Sequence, residues 1–158
     1  MSYEEAQLIY NSILRFLSPF ENNPINDIAT QAEDVDRLGT VSLESKIYEV
    51  ADLMVKYGFT QLVVKDEQNG KVKGVITDAI LLNQMLCPRD KCRDWLKILK
   101  GKTVKESGLI DKPTIFPEEA TQTEVSQALI HHYAVLVEEA NGKIGIATRN
   151  DFMKLLKT

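Results

Sequence analysis

The strongest constraint on the fold is an internal repeat in the sequence. Residues 40–82 and residues 114–156 follow the same order: a short strand, an amphipathic helix, an apolar strand, a turn, a second strand and a helix. The two turns contain Asn69-Gly70 and Asn141-Gly142, and Asn-Gly between apolar runs is a strong signal for a β-hairpin. A hairpin with helices on one face cannot bury its apolar side alone, but two copies packed together can.

The repeat therefore predicts an α+β fold of two pseudo-twofold-related units, each a small sheet with helices, whose sheets face one another across a shared core. Its alignment pairs Thr40 with Thr114 and Thr77 with Thr148. The chain of 158 residues is long enough to bury such a core without a disulfide or a metal. The predicted segments are an N-terminal helix at 1–22, a first repeat at 24–86, a basic helical connector at 87–102 and a second repeat at 103–158.

The N-terminal segment lies outside the repeated elements. Residues 4–20 place apolar side chains at i, i+3 and i+4 spacing, which predicts an amphipathic helix. Pro19 near its end and Asn22-Asn23-Pro24 beyond it are typical stop signals. The apolar positions of the predicted helix are Leu8, Ile9, Ile13, Phe16, Leu17 and Phe20.

The charge of the connector differs from that of the chain as a whole. The formal net charge of the protein is −4, which argues against nucleic-acid binding through bulk electrostatics. Residues 89–105 nevertheless carry seven Lys or Arg side chains against two Asp. This stretch is either a solvated connector face or a binding surface for a polyanion, and a steep salt dependence of binding would identify the second.

Several classes of function are disfavoured by what the sequence lacks. No apolar stretch approaches the ~18 residues of a membrane span, and the acidic residues 1–5 are unlike a signal peptide, so we expect a cytoplasmic protein without a membrane contact. Cys87 and Cys92 have no second pair of soft ligands nearby, so we expect reduced thiols and no metal site. Neighbours such as Glu118-Glu119 or Glu138-Glu139 point to opposite faces of a strand, and nucleophile, P-loop and dinucleotide motifs are absent. We therefore expect neither an enzyme nor a resident cofactor.

Two copies of one motif carry a family resemblance. The copies are Gly74-Val75-Ile76-Thr77 and Gly145-Ile146-Ala147-Thr148-Arg149-Asn150-Asp151, preceded by Pro24-Ile25-Asn26-Asp27-Ile28 and Thr103-Val104-Lys105-Glu106-Ser107. In register with their flanking elements, these segments resemble the tandem cystathionine-β-synthase (CBS) domain pair, or Bateman module, over residues 24–158. The resemblance implies that AMP, ADP, ATP or S-adenosylmethionine binds as a regulatory ligand between the repeats. It also implies a homodimer and signalling to an effector protein.

The start of the last helix is the predicted ligand site. An ionised carboxylate only accepts hydrogen bonds, so Asp151 can hold two ribose hydroxyls, each bond being worth ~1.5–3 kcal/mol. Thr148 lies on the same edge, Arg149 sits in the first helical turn, where phosphate is favoured, and Lys112 adds a second positive charge. The family pattern adds an adenine slot, with the predicted lining Thr114, Ile115, Ala134 and Ile146.

Alternatives remain open at the site and for the function. Thr-x-x-Asp before an apolar run is also a helix-capping arrangement, worth ~1 kcal/mol without any ligand. In the first repeat Ile80 stands where Asp151 stands in the second, so we expect at most one nucleoside site per chain. The rival functions are a ligand-free CBS scaffold for dimerisation or interaction and a polyanion binder that uses residues 89–105.

Overall fold

The structure is a computed structural model that describes residues 1–9, 23–86 and 94–157. Residues 3–9 are helical, and the rest of the predicted N-terminal helix lies outside the described residues. The same holds for residues 87–93, which include both cysteines and the start of the basic stretch. Within the described ranges, no helix is long and apolar enough to cross a membrane.

Both repeats have the predicted order of strands and helices. The first contains α1 (Ala32–Leu38), β1 (Thr40–Ser42), α2 (Ile47–Tyr57), β2 (Gln61–Lys65), β3 (Val72–Thr77) and α3 (Asp78–Met85). The connector contains α4 (Trp95–Gly101), and α5 (Val104–Ser107) begins the second repeat. The second contains β4 (Ile115–Pro117), α6 (Gln122–Ala128), β5 (Ala134–Glu138), β6 (Ile144–Thr148) and α7 (Arg149–Phe152). In each three-stranded sheet the first strand is parallel to the second, and the second is antiparallel to the third.

Local sequence signals account for the ends of these elements. Gly70 and Gly142 have φ angles of 69° and 80° in the hairpin turns, a left-handed backbone that glycine adopts without a steric penalty. Thr121 Oγ1 accepts a hydrogen bond from the Glu124 N–H at 3.2 Å, and Glu124 Oε2 accepts one from the Thr121 N–H at 3.1 Å. This reciprocal capping box begins α6, and Thr-x-x-Glu is the sequence pattern typical of such a box.

The inner faces of the two sheets pack against each other in a shared core. Leu62 and Val64 of β2 face the helices of their own repeat, whereas Val63 between them faces the other sheet. The cluster between the sheets draws on both repeats and consists of Val35, Val63, Val75, Ala134, Leu136 and Ile146. This arrangement confirms the predicted α+β fold with two sheets across one core.

The segment that leads into each repeat packs on the other repeat. We call residues 23–31 and 102–111 the leaders of the first and second repeat. Ile25 is fully buried in the helix-side core of the second sheet, and its N–H donates to the Ala120 carbonyl at 2.7 Å. Conversely, Val104 is fully buried in the helix-side core of the first sheet. Each core is therefore completed by the chain that leads into the other repeat.

The sheet register corrects the alignment of the two repeats at their first strands. Thr40 lies opposite Val63 in the first sheet, and Ile115 lies opposite Leu136 in the second. Because Val63 and Leu136 occupy equivalent positions in the middle strands, Thr40 corresponds to Ile115. The sequence alignment paired Thr40 with Thr114 and was wrong by one residue here. The physical reason is burial, since the apolar residue that follows each of them turns toward the helix-side core.

Candidate functional site

Thr148 and Asp151 meet at the end of β6, where α7 begins. The Thr148 N–H donates to Asp151 Oδ2 at 2.8 Å, and the Thr148 hydroxyl donates to the same oxygen at 3.3 Å. Asp151 is 5% exposed, and the two residues form a capping box around the first turn of α7. The capping arrangement expected as an alternative is therefore present, and it holds the carboxylate in a defined place at the edge of the sheet.

Lys154 engages the other oxygen of the same carboxylate. Its Nζ lies 2.9 Å from Asp151 Oδ1 and donates to the Ile28 carbonyl at 2.7 Å. A carboxylate offers about four acceptor directions, and donors of the chain itself occupy three of them. A ligand that binds Asp151 must therefore share Oδ1 with Lys154 or displace the ammonium group.

The strand register places four predicted site residues on one face of the second sheet. Thr148 lies directly opposite Ala134, and Ile146 lies opposite Leu136. Ile115 lies opposite Leu136 from the other side, and residues opposite each other on neighbouring strands share a face. Ala134 and Ile146 are buried, whereas Ile115, on the edge strand, is 53% exposed. This face is turned toward the other sheet, so all four residues border the space between the repeats.

The structure does not bring the remaining predicted residues to this face. Thr114 and Lys112 are exposed, and the Thr114 carbonyl accepts a hydrogen bond from β5. Arg149 donates from Nε to the Leu129 carbonyl at 2.7 Å and from Nη2 to the Ile130 carbonyl at 3.3 Å. These carbonyls follow α6, and the last carbonyls of a helix favour a cation. Arg149 therefore acts as a helix cap, and it lines the groove between α6 and α7.

The first repeat has a different helix start at the equivalent point. Ile80 stands at the position of Asp151, and its N–H donates to Thr77 Oγ1 at 3.1 Å. Thr77 therefore caps α3 through its hydroxyl. We call the space beside Thr77 and Ile80 the first cleft and the space beside Thr148 and Asp151 the second cleft. The first cleft has no carboxylate at the position that Asp151 occupies in the second.

The first cleft nevertheless contains a cavity that the sequence analysis missed. Its volume is about 380 Å³, and the described residues around it are Thr30, Asp34, Val35, Gly39, Phe59, Gln61, Val63 and Ile146. Thr30 forms a β-bridge with Ile146, and Asp111 forms the corresponding β-bridge with Val75, so Thr30 and Asp111 occupy equivalent positions in the two repeats. From Thr30 the chain forms α1 before its first strand, whereas from Asp111 it runs directly into β4. The longer segment before β1 is a sequence feature that could indicate this cavity.

Two ionisable side chains, His132 and Asp111, lie close together at the equivalent place in the second cleft. His132 Nδ1 lies 3.8 Å from Asp111 Oδ2, and both side chains are partly exposed. By strand and bridge register they correspond to Phe59 and Thr30 of the first cleft. The second cleft is therefore more polar at this point than the first. No motif indicated the pair, because its two members are brought together only by the fold.

The first repeat matches a known family. Residues 26–86 match the family model of the CBS domain. No curated protein matches the sequence at a significant level.

Solved structures share the fold over most of the chain. A CBS domain-containing protein of unknown function from Bacillus anthracis has a TM-score of 0.68 at 20% identity, covering 87% of this chain and 94% of its own. The CBS-pair protein CBSX2 from Arabidopsis thaliana has a TM-score of 0.66 at 23% identity, covering 84% and 93%; it has also been solved in complex with AMP. The CBS domain of a bacterial CNNM/CorC family Mg²⁺ transporter, solved in complex with ATP, has a TM-score of 0.65 at 18% identity, covering 96% and 95%. Residues 26–86 are therefore similar to the CBS domain, and the chain has the fold of these CBS-pair structures.

Proposed function

We propose that this protein is a regulatory module that binds an adenosyl ligand, AMP, ADP, ATP or S-adenosylmethionine, between its two repeats. The observation that carries the proposal is the buried carboxylate of Asp151, held beside Thr148 at the edge of the face between the sheets. The ligand class is supported by structural neighbours, since CBSX2 was solved with AMP and the CNNM/CorC CBS domain with ATP. Binding shifts the packing of the repeats and signals to an effector protein or to a second copy of the chain.

In this proposal the helix start supplies the polar contact and the sheet supplies the apolar one. The ribose hydroxyls donate to Asp151, and the base lies along the face that carries Ala134 and Ile115. Contact with Oδ1 competes with Lys154, whose side chain is half exposed. The ammonium group then moves from the carboxylate to a phosphate of the ligand or to solvent.

The first cleft is the alternative location for the same class of ligand. Its cavity of about 380 Å³ falls within the ~300–1,000 Å³ of most small-molecule sites. The amide of Gln61 both donates and accepts hydrogen bonds, which suits the edge of a nucleobase. Because Ile80 offers no acceptor to a ribose, we expect the first cleft to bind nucleosides more weakly than the second.

Titration calorimetry with AMP, ATP and S-adenosylmethionine tests the proposal when Asp151→Asn is compared with the wild type. Asparagine keeps an oxygen that can accept from the Thr148 N–H, so the helix cap survives while the charge is lost. Hydrogen bonds to a charged group are worth ~1.5–3 kcal/mol against ~0.5–1.5 kcal/mol for neutral ones, so we expect affinity to fall about tenfold. Gln61→Ala is the matched control in the first cleft and should leave the affinity of the second cleft unchanged. If Gln61→Ala abolishes binding and Asp151→Asn does not, the ligand occupies the first cleft.

A ligand-free scaffold for dimerisation or interaction is the second candidate function. The observation that favours it is the set of contacts from Thr148 and Lys154, which satisfy Asp151 without a ligand. Exposed apolar side chains on the helices of the first repeat, such as Val55 and Leu82, offer the surface for a homodimer. If none of the three ligands binds to protein freed of carried-over nucleotide, the scaffold replaces the sensor.

A further inference from the structure

An apolar groove runs between α6 and α7 on the outer side of the second repeat. Its volume is about 350 Å³, and the described residues that line it are Ser126, Leu129, Ile130, Arg149, Phe152 and Met153. Ile130 and Met153 are 65% and 51% exposed. Neighbouring apolar side chains with this much exposure are typical of a contact surface.

The first repeat has the equivalent groove between α2 and α3, and α4 lies in it. Leu99 of α4 is buried with Met54 and Leu81 in the helix-side core. The indole Nε1–H of Trp95 donates to the Gln84 carbonyl at 2.6 Å, which ties α4 to α3. Helix α4 directly precedes the leader of the second repeat. The groove of the first repeat is therefore covered by the segment that comes immediately before that leader.

Matching hydrogen bonds show that the two leaders reach the repeats in the same register. The Lys102 carbonyl accepts from the Ile47 N–H at 2.9 Å at the start of α2, and the Asn23 carbonyl accepts from the Gln122 N–H at 2.8 Å at the start of α6. The residues that follow in each leader form equivalent β-bridges. Asn23 therefore stands in the first leader where Lys102 stands in the second.

Counting back from these two anchors aligns the N-terminal segment with α4. Leu99 precedes Lys102 by three residues, and Phe20 precedes Asn23 by three residues. The further pairs at the same count are Leu17 with Leu96 and Phe16 with Trp95. Three apolar positions of the N-terminal segment thus coincide with Trp95, Leu96 and Leu99 of α4, of which Trp95 and Leu99 contact the first repeat.

We propose that the groove between α6 and α7 is the docking site of the chain's own N-terminal segment, residues 10–22, with Phe20 entering it as Leu99 enters the groove of the first repeat. Pro19 stands where Ile98 donates a helical hydrogen bond to the Asp94 carbonyl. Proline has no N–H with which to donate such a bond.

The anchor at Asn23 puts the groove within reach of Phe20. Ser126 lies about one helical turn, roughly 5.4 Å, beyond Gln122, to which Asn23 is bonded. Three residues of extended chain span roughly 10 Å, which covers that distance. Covalent attachment also gives the segment an effective concentration in the millimolar range, which favours it over the same segment of a second copy.

Disulfide trapping tests the docking directly in full-length protein whose native Cys87 and Cys92 are replaced by serine. Phe20→Cys is paired with Met153→Cys in the proposed groove and, as the control, with Leu82→Cys at the equivalent position of the first repeat. We expect rapid cross-linking within one chain for the first pair only. Equal cross-linking of both pairs overturns the proposal, and so does a disulfide that forms only between two chains.

Thermal unfolding supplies a second test that needs no cross-link and no ligand. Removing a phenylalanine side chain from a packed site costs enough stability to lower the melting temperature by roughly 5 °C or more, so we expect this from Phe20→Ser. Glu21→Ser is the control, because the equivalent Lys100 is exposed on α4, and it should leave the melting temperature unchanged. An unchanged melting temperature in Phe20→Ser overturns the proposal.

Discussion

Replacing Ile25 with alanine tests the exchange of leaders between the two repeats. Ile25 is fully buried and belongs to the helix-side core of the second sheet, with Val125 and Val135. Truncating a buried isoleucine to alanine costs ~2–5 kcal/mol, and complete burial favours the middle of that range, ~3–4 kcal/mol. At roughly 2–4 °C per kcal/mol for a chain of this size, the melting temperature should fall by roughly 6–16 °C.

Hydrogen exchange shows which repeat loses stability in this variant. We expect β5 and α6 of the second repeat to lose protection first in Ile25→Ala, although residue 25 precedes the first repeat in the sequence. Val104→Ala is the matched variant and should weaken β2 and α2 instead, since Val104 is buried in the first repeat's core. Val55→Ala, at a position 85% exposed, should change stability by less than about 0.5 kcal/mol. Loss of protection confined to the first sheet in Ile25→Ala would refute the exchange of leaders.

Three further predictions concern the leaders, α1 and α4. A Cβ atom at Gly145 would lie 2.5 Å from a leader carbonyl, so Gly145→Ala should cost ~1–3 kcal/mol of unfolding free energy, measured by urea denaturation. Gly101→Ala is the control, because its Cβ meets open space, and it should not destabilise the protein. Equal stabilities of the two variants would contradict this prediction. Glu139 Oε1 accepts a hydrogen bond from the first N–H of α1 at 2.8 Å. Glu139→Ala should therefore lower stability by ~0.5–2 kcal/mol and speed hydrogen exchange in α1. Unchanged exchange in α1 would count against this role of Glu139. Trp95→Phe removes the indole N–H that donates to α3 and should lower the free energy of unfolding by ~0.5–1.5 kcal/mol, measured by chemical denaturation. A variant as stable as the wild type would show that this hydrogen bond adds nothing to stability.

The strands, hairpins and helix starts could be predicted from the sequence because their signals are local. Asn69-Gly70 and Asn141-Gly142 specify the turns through the backbone freedom of glycine, and Thr121 with Glu124 specifies the start of α6. The pairing partner of each leader had no such signal. An apolar residue such as Ile25 is predicted to be buried, but its periodicity does not say which of two similar cores it enters.

The candidate site could be predicted in part for the same reason. The spacing of Thr148 and Asp151 predicted their contact, because residues three apart at a helix start lie together. The contacts of Lys154 with the Ile28 carbonyl and of Asp111 with His132 join residues that are distant in sequence, and no local pattern contains them. The cavity of the first cleft likewise depends on how α1 lies across the sheet.

The measurement that tests the central claim most directly is chemical-shift mapping of backbone amides in isotope-labelled protein titrated with AMP. The proposed function predicts saturable shifts at Thr148, Asp151 and Ala134, in the second cleft. Shifts confined to Gln61 and Gly39 would place the nucleotide in the first cleft and contradict the assignment to Asp151. No shift at any amide, with AMP in large excess, would contradict nucleotide binding itself.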